Sequence, residues 1–544
     1  MRIEKVKITN FKCYEDTFTL KLNEGLNVIV GANESGKTTI LEAIHLALTG
    51  LLHGRPLKND VTSYLFNLAA QDKYVKSLST AAPLPPPTIT IELFFSGDSP
   101  ELAALEGDGN SERAKCAGVV FRIAFDEDNY RDPYAKLLDA GSLTSIPVEY
   151  YTTTMRSFAR AGITARNIPI KSALIDSSSA RLQNGSDLYV SRIIRDALEE
   201  KERASISQAH RKLREAFVSD ENLKLINERI TDAAKISKKS VSISVDLSSQ
   251  NAWESSLMTY IDLIPFQYIG KGEQCVIKTK LALSTKKNAE ATAILLEEPE
   301  NHLSHTRLSA LVKDLTEEHG TKQIIISTHS SFVANKLGLD HLIVLRAGAL
   351  ARMADLEASD FFRKLAGYDT LRLVLAEKAI LVEGDSDELV VQRAYMDAND
   401  GRLPIQDGID VISVGTAFLR FLEIAEALEI PTAVVTDNDG DVAAVEKKYS
   451  AYKGSKTIRI CFDVVEDGGD LMAGKKPYNY NTLEPKLLKS NSLATLKKIL
   501  NVDVDTDDKL RLHMRSNKTE TALAIFNADD KITYPDYIVE AIAP

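Results

Sequence analysis

Two groups of residues carry a spacing that chemistry can use. The first is Gly31–Thr39, GANESGKTT, in which Gly31, Gly36, Lys37 and Thr38 fit G-x4-G-K-[ST]. Backbone N–H groups of such a loop surround phosphates, the lysine reaches the β- and γ-phosphates, and the hydroxyl holds Mg²⁺. Asn33 inside the loop and Thr39 directly behind it complete the candidate nucleotide contacts. The second group is acidic. Glu383, Asp385 and Asp387 follow the apolar run KAILV, and Asp437, Asp439 and Asp441 follow TAVVT. Carboxylates crowded at one place repel one another unless a divalent cation sits among them, so this pattern asks for Mg²⁺ or Mn²⁺.

The elements that must position these groups are legible around them. Leu26–Val30 reads as a strand feeding the phosphate loop, and Thr39–Thr49 as the helix whose N-terminal partial charge meets the phosphate. Residues 2–10 alternate with period two, and Phe11–Thr19 continues toward a second strand. Thr88–Phe95, Val119–Asp126 and Ile146–Thr153 also read as strands, and Pro83–Pro87 as a stiff connection. A charged, helix-periodic stretch over 187–236 is either a solvated insert or an arm for dimerisation. Further on, ILLEEPENHL delivers Glu297 and Glu298 to a strand end, IIISTHS places His329 behind another buried strand, and IGKGEQ contributes Gly272 and Glu273. A parallel strand that ends in carboxylates beside a phosphate loop is where a Mg²⁺-bound water and a general base are needed.

Behind a linking stretch, 348–376, a new α/β pattern runs from 377 to 544. Lys378–Val382, Ile409–Val414 and Thr432–Thr436 are its strands, with helix-like runs Glu388–Met396 and Ala417–Leu428 between them. Two apolar strands thereby bring Glu383 and Asp437 to one edge of a parallel sheet.

Composition narrows the class. A chain of 544 residues with 44% hydrophobic and 26% charged residues has an ordinary globular make-up. The opening MRIEKVKITNFKCYED is charged and alternating, not a signal peptide, and no run approaches the roughly 18 apolar residues of a membrane span. A cytoplasmic location is expected. Cys13, Cys116, Cys275 and Cys461 lie far apart, which argues against zinc and against a disulfide framework. The pair His302 and His305 sits just after the acidic strand end and reads as structural. A net charge of −11 argues against coating nucleic acid by bulk charge, but not against local basic patches. Arg156, Arg160, Arg166 and Lys171 among Tyr150, Tyr151 and Phe158 are either such a patch or a solvated face.

The nucleotide elements together resemble an ABC-type ATPase similar to SMC, Rad50 and RecF heads. The resemblance implies Glu297 as the magnesium-side acid, Glu298 as the activator of water and His329 as the switch histidine. It makes Gly272-Glu273-Gln274 the signature loop facing a partner's nucleotide. Glu297 stands where that family usually has Asp, and Gly270 where it usually has Ser, which points to slow or regulatory hydrolysis. The second pattern resembles a Toprim domain, on Glu383 and on Asp437 with Asp439. A Toprim domain behind an ABC-type ATPase, over 377–544 and 1–347, is the arrangement of the OLD (overcoming lysogenisation defect) family of ATP-dependent nucleases. Within that resemblance Glu484 in NTLE is a further metal ligand. Lys518 in NKTE is either a lysine beside the scissile phosphate or a solvated helix-start residue. Asp387 is either a metal ligand itself or an acid that stands behind the ligands and supports them.

The resemblance implies an α/β chain that binds ATP and Mg²⁺ or Mn²⁺, cuts or nicks DNA, and assembles as a homodimer or larger oligomer. It also implies bacterial defence against phage, as in Gabija and some retrons, with a co-encoded helicase-like protein or retron reverse transcriptase or nucleic acid as a further partner. Other readings are a DNA-binding ATPase clamp with an inert Toprim domain, a topoisomerase and a primase. The topoisomerase needs a tyrosine in a separate gate domain, whereas Tyr478 and Tyr480 lie inside the Toprim region. The primase needs a zinc or template-gripping module that no cysteine spacing supports.

Overall fold

The computed structural model describes residues 1–80, 82–139, 143–176, 182–183, 186–187, 198–233, 259–284, 292–301, 303–318, 322–329, 341–346, 349–352 and 368–543. His302 and residues 353–367 of the linking stretch lie outside them, as do 188–197 and 234–236 of the helix-periodic stretch. The chain divides into two compact units, one of Met1–Asn27 with Gly36–Thr328 and one of Val28–Ser35 with His329–Pro544.

In the first unit, β1 (Arg2–Thr9) lies between β2 (Phe18–Lys21) and β4 (Ile89–Ser96), and β4 is followed outward by β5 (Cys116–Phe125) and β6 (Tyr151–Ser157). The pairings are antiparallel. The second strand begins later than the alternation suggests. Asn10 and Lys12 adopt left-handed φ angles of 56° and 50°, and the chain turns back on itself at Phe11 before pairing resumes. The strand expected from Ile146 starts instead at Tyr151, because a 3-10 turn over Val148–Tyr150 follows Pro147, which has no N–H for a ladder. Phe158 is fully buried against Phe94 at a centroid distance of 4.9 Å, and Tyr151 packs edge-on to Phe66. Two of the three aromatic members of the suspected basic patch are therefore core, while Tyr150 is half-buried and stacks on Tyr130.

The same unit holds a parallel group, β7 (Ser172–Asp176), β8 (Ala293–Glu297) and β9 (Gln323–Thr328), covered by the phosphate-loop helix α1 (Lys37–Thr49). Its strands are near-continuous apolar runs, as strands buried on both faces require. The described part of the helix-periodic stretch is two helices, Glu200–Val218 and Glu221–Ala233, broken at Ser219–Asp220.

In the second unit, β3 (Leu26–Gly31) pairs in parallel through Val28–Gly31 with β10 (Leu342–Arg346), which pairs antiparallel with β11 (Ala349–Arg352). Beyond these lies a four-stranded parallel sheet. It is built from β12 (Lys378–Val382), β13 (Ile409–Ser413), β14 (Thr432–Val435) and β15 (Ile458–Cys461), in the order β13-β12-β14-β15. The Arg346 guanidinium donates to the carbonyls of Ala376 and Glu377, fastening the entry to β12. Connections from β12 and β14 leave in opposite directions, so the crevice beyond their C-terminal ends is a topological switch point, where such sheets place ligands.

Candidate functional site

The nucleotide loop is shaped by close approach. A Cβ on Gly31 would meet the Leu345 carbonyl oxygen at 2.5 Å, and one on Gly36 would meet the Tyr14 hydroxyl at 2.6 Å. Gly36 also has φ +96°, which only glycine adopts freely. Tyr14 donates a 3.3 Å hydrogen bond to the Gly36 carbonyl, a support that spacing could not reveal.

Lys37 is 5% exposed, and Thr38 donates to Glu297 Oε1. Burial pushes the Lys37 ammonium down, while Glu298, Glu300 and Glu297 pull it the other way. Lys37, Thr38, Glu297 and Glu298 thus share one neighbourhood. Glu298 leaves the strand end with φ 39°, its N–H on the Ser327 carbonyl at 2.9 Å, and it accepts from the Asn301 amide at 2.9 Å. Glu300, which the motif reading passed over, joins this neighbourhood and accepts 2.5 Å from Thr328. Thr39 is buried in α1. Asn33 is exposed in the loop, and His329 is exposed directly after β9. Gly272 and Glu273 lie in the first turn of helix Lys271–Ser284 rather than in a loop. Gln274 turns its amide back to the carbonyls of Phe266 and Ile269 at 2.9 and 2.8 Å.

At the second site, β12 and β14 are adjacent with Leu381 opposite Val434, so Glu383 and Asp437 emerge side by side at the switch point. Asp387 sits in the first turn of helix Asp385–Ala398 and accepts from the Gly384 N–H at 3.0 Å. Asp439 has φ 48° in the turn after β14 and accepts 2.9 Å from Asn479. Glu484, 3% exposed, lies in the first turn of helix Leu483–Ser490, accepts from Thr482 at 3.1 Å and stands 3.3 Å from the Lys518 ammonium. Lys518 opens helix Lys518–Phe526, so it is both a helix-start residue and the partner of an acid.

These acids act on one another. Burial first, then the charges of Asp387, Glu383, Glu484 and Asp439, hold Asp437 well above the ordinary carboxylate range. Asp387 is pushed up to about 6, by burial chiefly and then by Glu383 and Glu484, against the Gly384 hydrogen bond and Lys518. Among the described residues, however, no three His, Cys, Asp or Glu side chains stand together as the ligands of one ion would. The donor set is nevertheless all oxygen and mutually repelling, which is the chemistry of a hard divalent cation site. Residues missed by motif reading are Asn479 and Thr482, which donate to Asp439 and Glu484, Asn438, which holds the carbonyls of Asp463 and Val465, and Lys486, which pairs with Asp463 and Asp467. A polar residue inside or beside each acidic motif was the available signal.

Two families match the chain: that described as AAA domain over residues 5–337, and that described as overcoming lysogenization defect protein-like, TOPRIM domain, over residues 374–439. An OLD nuclease from Thermus scotoductus is 25% identical, with 80% of this chain and 82% of its own length covered. The endonuclease GajA of Bacillus cereus is 23% identical, covering 81% of this chain and 75% of its own. An Smc head domain from Pyrococcus furiosus, solved bound to the C-terminal domain of ScpA, covers 67% of this chain and 99% of its own at 14% identity, with a TM-score of 0.33. Among the described residues no helix is long and apolar enough to cross a membrane. The chain belongs to the AAA-domain family, and behind that domain it carries a segment, residues 374–439, that matches the overcoming lysogenization defect protein-like TOPRIM domain.

Proposed function

We propose that the chain is an ATP-binding and ATP-hydrolysing, divalent-metal-dependent DNA endonuclease or nickase whose cutting is regulated by nucleotide. The observation that carries this reading is that the charges of Asp387, Glu383, Glu484 and Asp439 all act on Asp437 beyond the ends of two adjacent parallel strands, with Lys518 paired to Glu484. Those five acids would hold Mg²⁺ or Mn²⁺, which supplies a hydroxide nucleophile near neutral pH and stabilises the leaving oxygen. Lys518 places a fixed positive charge where the scissile phosphate develops negative charge. In the other unit Thr38 and Glu297 would hold the nucleotide's Mg²⁺, Lys37 its phosphates, and Glu298 would orient the attacking water. Asn33, Thr39, His329, Gly272 and Glu273 complete the proposed nucleotide contacts. The domains would be 1–347 and 377–544, working as a homodimer or larger oligomer on DNA. The names of the relatives, an OLD nuclease and an endonuclease, support a nuclease with ATPase activity. A role in defence against phage, with a co-encoded partner, is part of the same proposal.

The test is incubation with supercoiled plasmid in Mg²⁺ or Mn²⁺, with and without ATP. Nicked or linear product that Glu383→Ala abolishes and Lys37→Ala only retunes supports the reading. Closed, relaxed topoisomers would instead indicate a topoisomerase. A second reading, a DNA-binding ATPase clamp, draws on the lack of three converging acids among the described residues. DNA bound but left intact under every metal and nucleotide condition favours it.

A further inference from the structure

Between β15 and the helix carrying Glu484 runs a segment, 463–481, that the acidic motifs do not explain. Its near end is locked. The Asn438 amide, 2% exposed between Asp437 and Asp439, donates to the carbonyls of Asp463 and Val465 at 2.6 and 3.1 Å. The Lys486 ammonium, 3% exposed, reaches the Val465 carbonyl at 2.8 Å and the carboxylates of Asp463 and Asp467 at 2.6 Å each. The far end is locked as well. Asn481 exchanges hydrogen bonds of 2.7 and 2.8 Å with the Asp467 backbone, and Asn479 donates to Asp439.

A rigid root of this kind leaves one part projecting. Met472–Ala473 pairs antiparallel with Lys476–Pro477 around Gly474, whose φ of +68° closes the turn. Lys475 and Lys476 at this tip are exposed, and among the described residues neither ammonium has an ion-pair partner. Asn479 is three residue steps beyond Lys476, so the chain keeps the Lys476 backbone within about 11 Å of the residue bonded to Asp439. In a chain of net charge −11, two unpaired ammonium groups on a fixed hairpin beside a carboxylate cluster are out of keeping with their surroundings. An acidic edge repels a polyanion, and a cationic flank is needed to bring one to it. Arg515, exposed three residues before Lys518, extends the positive charge on the helical side.

We infer that the Met472–Pro477 hairpin is a docking surface for the DNA phosphate backbone, with Lys475 and Lys476 holding the strand against the carboxylate edge. The inference rests on the nuclease reading and adds to it the element that grips the substrate. These lysines bind and do not take part in bond cleavage.

The experiment measures binding of a short fluorescein-labelled duplex by anisotropy across a NaCl series, in Ca²⁺, together with plasmid cleavage in Mg²⁺. The variants are Lys475→Glu with Lys476→Glu, the Arg pair at the same positions, and a charge-matched control, Lys453→Glu with Lys456→Glu. The control residues are exposed and precede β15, at the opposite edge of the sheet. The hairpin Glu pair should weaken duplex binding about tenfold and lower the log–log salt slope by about 1.8, two phosphate contacts at 0.9 each. Cleavage should show a raised KM and an unchanged kcat, the Arg pair should restore binding, and the control should bind as wild type does. Wild-type affinity and slope in the hairpin Glu pair, or an equal loss in the control, overturns the inference alone. A wild-type chain that neither binds nor cuts duplex overturns the nuclease reading with it, and binding of a matched RNA duplex in preference to DNA overturns the assignment of DNA as ligand.

Discussion

The Lys518 ammonium stands 3.3 Å from a carboxylate oxygen of Glu484, joining a half-exposed cation to an acid that is 3% exposed. Burial alone would push the lysine down, but Glu484, Asp437 and Asp387 outweigh it and raise the group. Lys518 is therefore protonated at neutral pH and supplies positive charge within the cluster. Lys518→Met should slow plasmid cleavage about 100-fold, the loss typical of one electrostatic donor, while leaving duplex affinity in Ca²⁺ nearly unchanged. Wild-type cleavage by this variant would reduce Lys518 to a helix-start residue.

Both chemistries were legible because each is announced locally. The phosphate loop needs glycines at Gly31 and Gly36 for backbone approach, and no distant residue changes that need. Glu383 and Asp437 were legible as acids at the ends of apolar strands, and the parallel register sets them side by side. The fastening of the second site was not legible. Lys486 with Asp463 and Asp467, or Asn479 with Asp439, are common residue types whose pairing depends on how the 463–481 segment folds back. Tyr14 on the Gly36 carbonyl is hidden for the same reason. Helix periodicity ran through Ser219–Asp220 without showing the break, since one polar pair in a charged helix leaves the period intact.

The crowded acids should cost the fold stability when no metal is present. An acid whose folded pKa exceeds its unfolded value penalises the native state once ionised. For Asp387 this penalty is absent below about pH 4, grows as pH rises through about 6 and is complete above it. Asp387→Asn should therefore raise Tm at pH 8 in EDTA, with the gain fading as pH falls toward 4. Asp437→Asn should act in the same direction, since Asp437 is also raised. Adding Mn²⁺ should stabilise the wild type more than either variant. Melting curves over this pH range, with and without metal, check it; an unchanged or lowered Tm at pH 8 would show that the charges are already compensated.

In the nucleotide unit, Lys37 and Glu298 should separate binding from turnover. Lys37→Ala removes the buried ammonium from among Glu297, Glu298 and Glu300 and should abolish binding of a fluorescent ATP analogue. Glu298→Gln keeps the shape and the Asn301 contact but removes the base. It should bind the analogue normally and release phosphate about 10²- to 10⁴-fold more slowly. Normal turnover in Glu298→Gln, with a loss in Glu300→Gln, would move the role to the residue that Thr328 holds.

Lys486 binds the helix of Glu484 to the segment that Asn438 holds against Asp437 and Asp439, so it should govern both the stability of the second unit and the placement of its acids. Lys486→Met leaves Asp463 and Asp467, each about a quarter exposed, without their buried partner, although Lys489 still reaches Asp467 at 2.7 Å. The variant should melt several degrees below wild type, less than for a fully buried pair because water reaches the two acids. The pH dependence has a definite sign. Burial would raise Asp467, but hydrogen bonds from Lys486 and Lys489 outweigh it and hold the carboxyl below its ordinary range. Its stabilising contribution is thus fully present above the unfolded value near 3.8 and is lost as pH falls through the lower folded one. The Tm gap between wild type and Lys486→Met should stay constant from pH 5 to 8 and close only in stronger acid. Mn²⁺ affinity, followed by the electron spin resonance of the free ion, should drop in Lys486→Met and recover in part with Lys486→Arg. A variant that melts early yet binds Mn²⁺ as wild type does would confine Lys486 to stability and detach it from the placement of Glu484.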